Sequence, residues 1–314
     1  MSTKPASACA GHIRVHSVLF GNEIERIITT VRHLNRAADL AIAAGAATSV
    51  TLAYGDSSPH PIFSDADIAR IRAESKALID IEYHFFDANL GSAKGHNTLL
   101  EKAEDSVAAG KAVNSVLIMN PDVMLAPDAL IELARPLRDT QTGMVEARQL
   151  PIEHPKEYDR LTGETDWATT ACALIPLKVC RELEGFDNES FFLYCDDVDF
   201  SWRARLAGYK IIYQPSAAVF HDKRLDKHGR WAPTSSERYY SAEAALLMAH
   251  KYSRPAIVRD LLLAFEKSPE KHVRHAAQEF RLRESENRLP TPIDPKGTVS
   301  SFAGHFYTKH RFEL

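Results

Sequence analysis

"NSVLIMNPDVML", residues 114–125, contains the most continuously apolar strand of the chain and closes it on an Asn-Pro-Asp turn. Upstream, strand and helix signals alternate. "IRVHSVLFGN" (13–22) is rich in β-branched and aliphatic residues and ends at Gly21-Asn22. "EIERIITTVRHLNRAADLAIAAG" then sets Ile24, Ile27, Ile28, Val31 and Leu34 at helical spacing, with Gly45 as its stop. "SVTLAYGDSS" (49–58) and "IEYHFFDAN" (81–89) read as further strands, "DADIARIRAESKAL" and "GHNTLLEKAEDSVAAG" (95–110) as helices. This order before residue 125 predicts βαβ units: an α/β fold with a mainly parallel sheet and helices on both faces. Ligands collect at the carboxyl ends of strands in such sheets. Asp56, Asp87, Asn89, Asn120 and Asp122 all follow strands and become candidates.

Beyond residue 140 the alternation loosens. "TGMVEARQLP" and "TDWATTACALIPL" read as strands and "DDVDFSWRARLAGY" as a helix with Val198, Trp202 and Leu206 on one stripe. "KIIYQPSAAVFHD" (210–222) is a strand whose Pro215 suits an edge or a bend. A polar loop follows, then helical periodicity over 236–285 and an irregular tail from Arg288.

Composition narrows the class. Hydrophobic residues at 45% and charged residues at 25% are the balance of a soluble globular protein. A net charge of -4 gives no case for nucleic-acid binding. No apolar run has the length of a membrane span, and "MSTKPASACAGH" lacks a signal peptide's apolar stretch, so a cytoplasmic location is expected. Cys9, Cys172, Cys180 and Cys195 have no CxxC or zinc-like spacing and read as reduced thiols, Cys195 as a small, partly buried filler.

Three stretches carry chemistry. Asn120 and Asp122 are hard oxygen donors suited to Mg²⁺ or Mn²⁺ held jointly with phosphates, although a self-bonded strand-end turn uses the same residues. "DANLGSAKGHN" supplies Asn89, Gly91, Gly95 and Asn97 where a strand meets a helix N-terminus, a place that favours an anion; ordinary turn chemistry is the competing reading. "FFLYCDDVDFSWRARLAGY" (191–209) sets Asp196, Asp197 and Asp199 behind apolar residues. On a helix Asp196 and Asp199 share a face and Asp197 points elsewhere, so one can meet a substrate while another caps the helix or pairs with Arg203. His221, closing "AAVFH", fits a structural, base or metal-ligand role.

Taken in order, "AYGDSS", "NLGSAKGHN", "LIMNPDVML", "DWATTACALIPLKV", "GFDNESFFLYCDDVDFSWRARLAGY" and "IIYQPSAAVFH" resemble family 2 glycosyltransferases of the GT-A fold, particularly bacterial rhamnosyl- and galactofuranosyltransferase-like members. The resemblance covers about residues 13–222 and implies a Rossmann-like catalytic domain over 1–225, with a loop, helices and irregular tail over 226–314. It implies a nucleotide-diphosphate-sugar donor (dTDP- or UDP-linked), a glycan or lipid-linked acceptor, a divalent Mg²⁺ or Mn²⁺, and inversion at the anomeric carbon. Asp56, with Asn89, Gly91, Gly95, Asn97 and Asn120, then falls on the donor side. Asp122 and His221 fall on the metal, Trp167 and Thr170 on the acceptor, and Asp197, with Asp196 second, on the catalytic base.

The C-terminal helices lie outside the match. Their Lys251, Arg254, Arg259, Lys267, Lys271, Arg274, Arg281 and Arg283 read as a solvated face, with peripheral contact to the inner face of an anionic membrane or a second copy as the alternative. Rhamnose is the favoured sugar and a UDP-linked galactosyl or galactofuranosyl donor the alternative. A sugar nucleotidyltransferase and a non-catalytic nucleotide-sugar-binding module are the remaining readings.

Overall fold

The computed structural model describes residues 10–223 and 234–308. Cys9, most of the polar loop and the expected boundary at 225 lie outside these residues. The first half is β1 (His12–Leu19), α1 (Ile24–Ala43), β2 (Ser49–Asp56), α2 (Asp65–Ala73), β3 (Asp80–Phe85), α3 (Gly91–Ala108) and β4 (Ser115–Met119). These strands pair in parallel, as the alternation predicts, and the structure sets them in the order β3-β2-β1-β4.

The second half extends the sheet with β5 (Val123–Leu125), α4 (Ala129–Ala134), β6 (Thr142–Leu150), β7 (Glu164–Thr165), β8 (Cys172–Pro176), α5 (Leu177–Glu182), α6 (Asp196–Leu206) and β9 (Lys210–His221). The full order is β3-β2-β1-β4-β8-β6-β9-β5, with β7 beside β9. β8 runs antiparallel to both β4 and β6, while β6 and β9 are parallel. The mixed half follows the loosened alternation after residue 140, with β8 entering antiparallel between β4 and β6.

Stretch 114–125 is thus two strands. Pro121 has no N–H to continue a ladder, and the Asn120 carbonyl accepts from Val123 N at 3.2 Å, closing a turn. β5 departs to pair with β9, Val123 opposite His221, which brings Asp122 beside that histidine. Of the strand expected over 165–177, Cys172–Pro176 pairs with β4 and β6 and Thr165 belongs to β7; residues 167–171 form an irregular crossing. β9 is an interior strand, so Pro215 marks a bend and not an edge. The register jumps there, from Gln214 opposite Ala147 to Ala218 opposite Arg148.

Apolar residues fill both faces of the sheet, under α1 and α4 on one side and under α3, α5 and α6 on the other. A further cluster joins α6 to α7 (Ser235–Lys251), α8 (Pro255–Glu266) and α9 (Lys271–Ser285). Val198 and Trp202 are buried as their spacing predicts, with Trp202 edge-on to Tyr252 at 4.6 Å, whereas Leu206 is exposed. Of the basic residues expected on a solvated face, Arg259, Lys267, Lys271 and Arg281 are exposed, but Lys251 is buried in an ion-pair network. Among the described residues no helix is long and apolar enough to cross a membrane.

Two buried histidines give the fold a pH dependence. His16 of β1 and His96 of α3 are buried; both His16 ring nitrogens and His96 Nδ1 lack a hydrogen-bond partner among the described residues. Burial drives both pKa values down, His16 assisted by Arg14, and His96 to about 4 from 6.5. The unfolded chain therefore binds these protons first. Stability is full above pH ~6.5 and falls as the pH drops toward ~4, with His96 alone worth on the order of 3 kcal/mol. Urea midpoints measured across that window should fall with acid in the wild type and flatten in a His16→Leu/His96→Leu double variant; equal slopes would contradict this origin.

Candidate active site

Three carboxylates at the start of α6 have three different environments. Tyr194 (φ 66°) and Cys195 (φ 59°) are both left-handed and not glycine, a strained turn that aims the helix start. Asp196 is buried and accepts a hydrogen bond from Ser92 Oγ at 2.8 Å. Burial, then the adjacent Asp197 charge, pushes its carboxyl well above the usual carboxylate range. Asp197 is half-buried; Oδ1 accepts from Val198 N at 2.8 Å and Oδ2 from Thr170 N at 3.4 Å. Asp199 is wholly buried, with Lys251 Nζ at 2.6 Å, Arg203 Nε at 2.7 Å and Tyr252 Oη at 3.0 Å. Asp199 and Arg203 pair within the helix, as their spacing predicts, and Asp197 is the more accessible member of the leading pair.

The second cluster forms where β4 and β9 end and β5 begins. His221 Nε2 lies 3.3 Å from Asp122 Oδ1, and its Nδ1 is 2.8 Å from Gln149 Oε1. Among the described residues no group of three or more His, Cys, Asp or Glu side chains is placed to hold a metal. One carboxylate and one imidazole nevertheless fit Mg²⁺ or Mn²⁺, which complete their shells with substrate phosphates and water. Asn120 stands beside this pair, its backbone N donating to Ala171 O at 2.9 Å.

That last bond ties the two clusters together. Residues 169–171 contact Asp197 through Thr170 N, the turn of Asn120 through Ala171 O, and Gln149, the partner of His221, through Thr169 Oγ1 at 2.9 Å. The acidic helix start and the Asp122–His221 pair thus share one edge of the sheet.

The other expected residues have more varied placements. Asp56 is fully buried: Oδ1 accepts from Ser58 N at 2.9 Å, and Oδ2 from Ile62 N at 3.0 Å and from Tyr83 Oη, so its carboxylate organises the loop after β2. Asn89 is exposed and accepts from Gly91 N at 3.2 Å. Gly91 has φ 67°, and a Cβ there would lie 2.3 Å from Phe192 O; only glycine lets α3 begin against the segment leading to α6. Gly95 packs on Val18. Asn97 uses both ends of its amide on Phe186 and Asn188, holding the loop ahead of α6. Trp167 is 5% exposed, edge-on to Tyr307 at 4.8 Å, with Lys156 Nζ 3.3 Å from its ring centroid, so its ring already has protein partners.

Sequence reasoning missed Ser92, Glu146, Gln149, Lys156, Thr169 and Lys251. Glu146 and Gln149 did leave a signal, being polar residues inside the apolar strand "GMVEARQL"; a buried carboxylate there requires a partner.

No protein-family model matches the chain. It is 29% identical over 178 residues (43% of this chain, 57% of the relative) to an N-acetylglucosaminyl-diphospho-decaprenol L-rhamnosyltransferase of Mycobacterium tuberculosis. It is 31% identical over 98 residues (29% of this chain, 37% of the relative) to the rhamnosyltransferase WbbL of Escherichia coli. The chain thus spans about half or less of these relatives' length. Among solved structures it resembles a mannosyltransferase from Pyrobaculum calidifontis in complex with GDP-Man and Mn²⁺ (TM-score 0.51, 16% identity, 88% of this chain and 81% of that one). It also resembles GalNAc-T7 with UDP, GalNAc and Mn²⁺ (TM-score 0.60, 13% identity, 89% and 55%). The fold is that of GT-A glycosyltransferases, and the resemblance read from the motifs is borne out by the kinds of protein these relatives are.

Proposed function

We propose that the chain is an inverting glycosyltransferase acting in bacterial surface polysaccharide synthesis, with dTDP-rhamnose the favoured donor and a hydroxyl of a lipid-linked or glycan acceptor as its target. One observation carries this reading: residues 169–171 join a half-buried carboxylate, Asp197, to the Asp122–His221 pair on a single strand-end edge. The curated relatives favour rhamnose, and the name of the mycobacterial protein favours a polyprenyl-diphosphate acceptor.

Asp197 takes the proton of the acceptor hydroxyl as that oxygen bonds to the anomeric carbon. The bond from that carbon to the diphosphate oxygen breaks, its electron pair leaving with the nucleoside diphosphate; single displacement inverts the centre. Asp122 and His221 would hold a divalent cation, which offsets charge on the departing diphosphate. Asp196, held by Ser92 and shifted toward the neutral acid, leaves Asp197 as the charged member of the pair. The sheet-containing part from β1 to β9 is the catalytic unit in this reading and α7–α9 its buttress.

The test is thermal unfolding against a panel of nucleotide sugars with Mn²⁺. dTDP-rhamnose should raise Tm above the effect of UDP-galactose or UDP-galactofuranose, by about 2.7 kcal/mol of stabilisation at a hundred times Kd, and EDTA should reverse the shift. A UDP-sugar preference would move the donor to the galactosyl alternative. Stabilisation by nucleoside triphosphates alone would favour a nucleotidyltransferase.

A further inference from the structure

We infer that a buried relay, Glu146–Thr169–Gln149, fixes the tautomer of His221 so that Nε2 presents a lone pair beside Asp122, making these three residues positioning residues for a cation; this rests on the metal reading above. The links are short. Thr169 Oγ1 lies 2.7 Å from Glu146 Oε1, Gln149 Nε2 lies 2.9 Å from Thr169 Oγ1, and His221 Nδ1 lies 2.8 Å from Gln149 Oε1. All four side chains are buried, at 1%, 8%, 3% and 7% exposure for Glu146, Thr169, Gln149 and His221.

The direction of the relay follows from its far end. Glu146 Oε2 is 2.7 Å from Lys156 Nζ, a group that only donates, on a side chain just 3% exposed. Burial raises the Glu146 pKa above its ordinary value and the Lys156 ammonium offsets part of that rise; it is the 2.7 Å ion pair that favours the carboxylate form, leaving Oε1 to accept from Thr169. The single Thr169 hydroxyl proton then goes to Glu146, and the hydroxyl lone pairs take the Gln149 amide N–H. That turns the Gln149 carbonyl toward His221, whose Nδ1 must carry hydrogen. A neutral His221 is left with its lone pair on Nε2, 3.3 Å from a carboxylate oxygen. Two acceptors facing each other need a proton or a cation between them. An outer hydrogen bond of this kind orients a ligating histidine and raises its basicity.

The direct readout is the tautomer itself. The full chain labelled with ¹⁵N-histidine, at about pH 8 where an ordinary histidine is neutral, should show His221 protonated at Nδ1 and bare at Nε2, its signals assigned by their loss in His221→Asn. Thr169→Val should mix the tautomers and weaken Mn²⁺ binding in the presence of dTDP by about 10–100-fold, and Thr169→Ser should restore both. A wild-type His221 protonated at Nε2 would overturn the relay with no variant needed. So would a folded Thr169→Val protein with unchanged spectrum and affinity. If Asp122→Ala leaves Mn²⁺ affinity untouched, the metal reading falls and with it the ligand role of His221, while the spectrum still decides the tautomer on its own.

Discussion

Asp197→Asn is expected to lower turnover by about 10²–10⁴-fold, the range for loss of a general base, while donor affinity stays close to that of the wild type. The amide keeps the size of the carboxylate, and its oxygen can still accept from Val198 N or Thr170 N, so the start of α6 should hold its shape. What disappears is the ability to take a proton. Measuring kcat beside a separate titration of the donor in the absence of acceptor separates these contributions. Equal losses in both would make Asp197 a binding residue. Asp196→Asn should cost less, because Asp196 is already biased toward the neutral acid and the amide can still accept from Ser92.

A second large effect is expected behind the start of α6. Lys251→Met removes the ammonium shared by Asp187 at 2.7 Å and Asp199 at 2.6 Å. Arg203 still pairs with Asp199, but Asp187 loses the partner that offsets its burial. Breaking one side of a buried ion pair costs about 3–5 kcal/mol, which in a chain of this size lowers Tm by roughly 5–15 °C. Thermal unfolding of the folded variant would show it. A shift within a degree or two would mean that the network is replaceable and that α7 does not brace α6 through Lys251.

The contrast between those residues shows what the sequence made legible. Local periodicity gives the parallel direction of the first four strands, because a helix after each of the first three returns the chain to the same end of the sheet, although it does not place β4 beside β1. It fails after residue 140, where β8 reverses direction and β9 bends at Pro215, since strand order depends on which distant edge is open. The acidic helix start could be divided correctly because i and i+3 geometry is local. Lys251 could not be placed that way: a lysine in the last turn of a helix suits solvent, and only Asp187 and Asp199, remote in sequence, show that this one faces inward. Asp122 and His221 were candidates separately, and the β5–β9 register makes them neighbours. Gln149 and Thr169 offered less, since a buried glutamine or threonine is informative only once its partner is known.

The central claim is transfer of a sugar with inversion, driven from the edge that holds Asp197 and Asp122. It is tested most directly by incubating the full chain with dTDP-rhamnose, Mn²⁺ and a polyprenyl-diphosphate-linked N-acetylglucosamine acceptor, with ¹H NMR following donor and product anomeric protons. The account predicts release of dTDP together with a glycoside of opposite anomeric configuration, dependent on Asp197. A product that retains configuration, or transfer undiminished in Asp197→Asn, would contradict it.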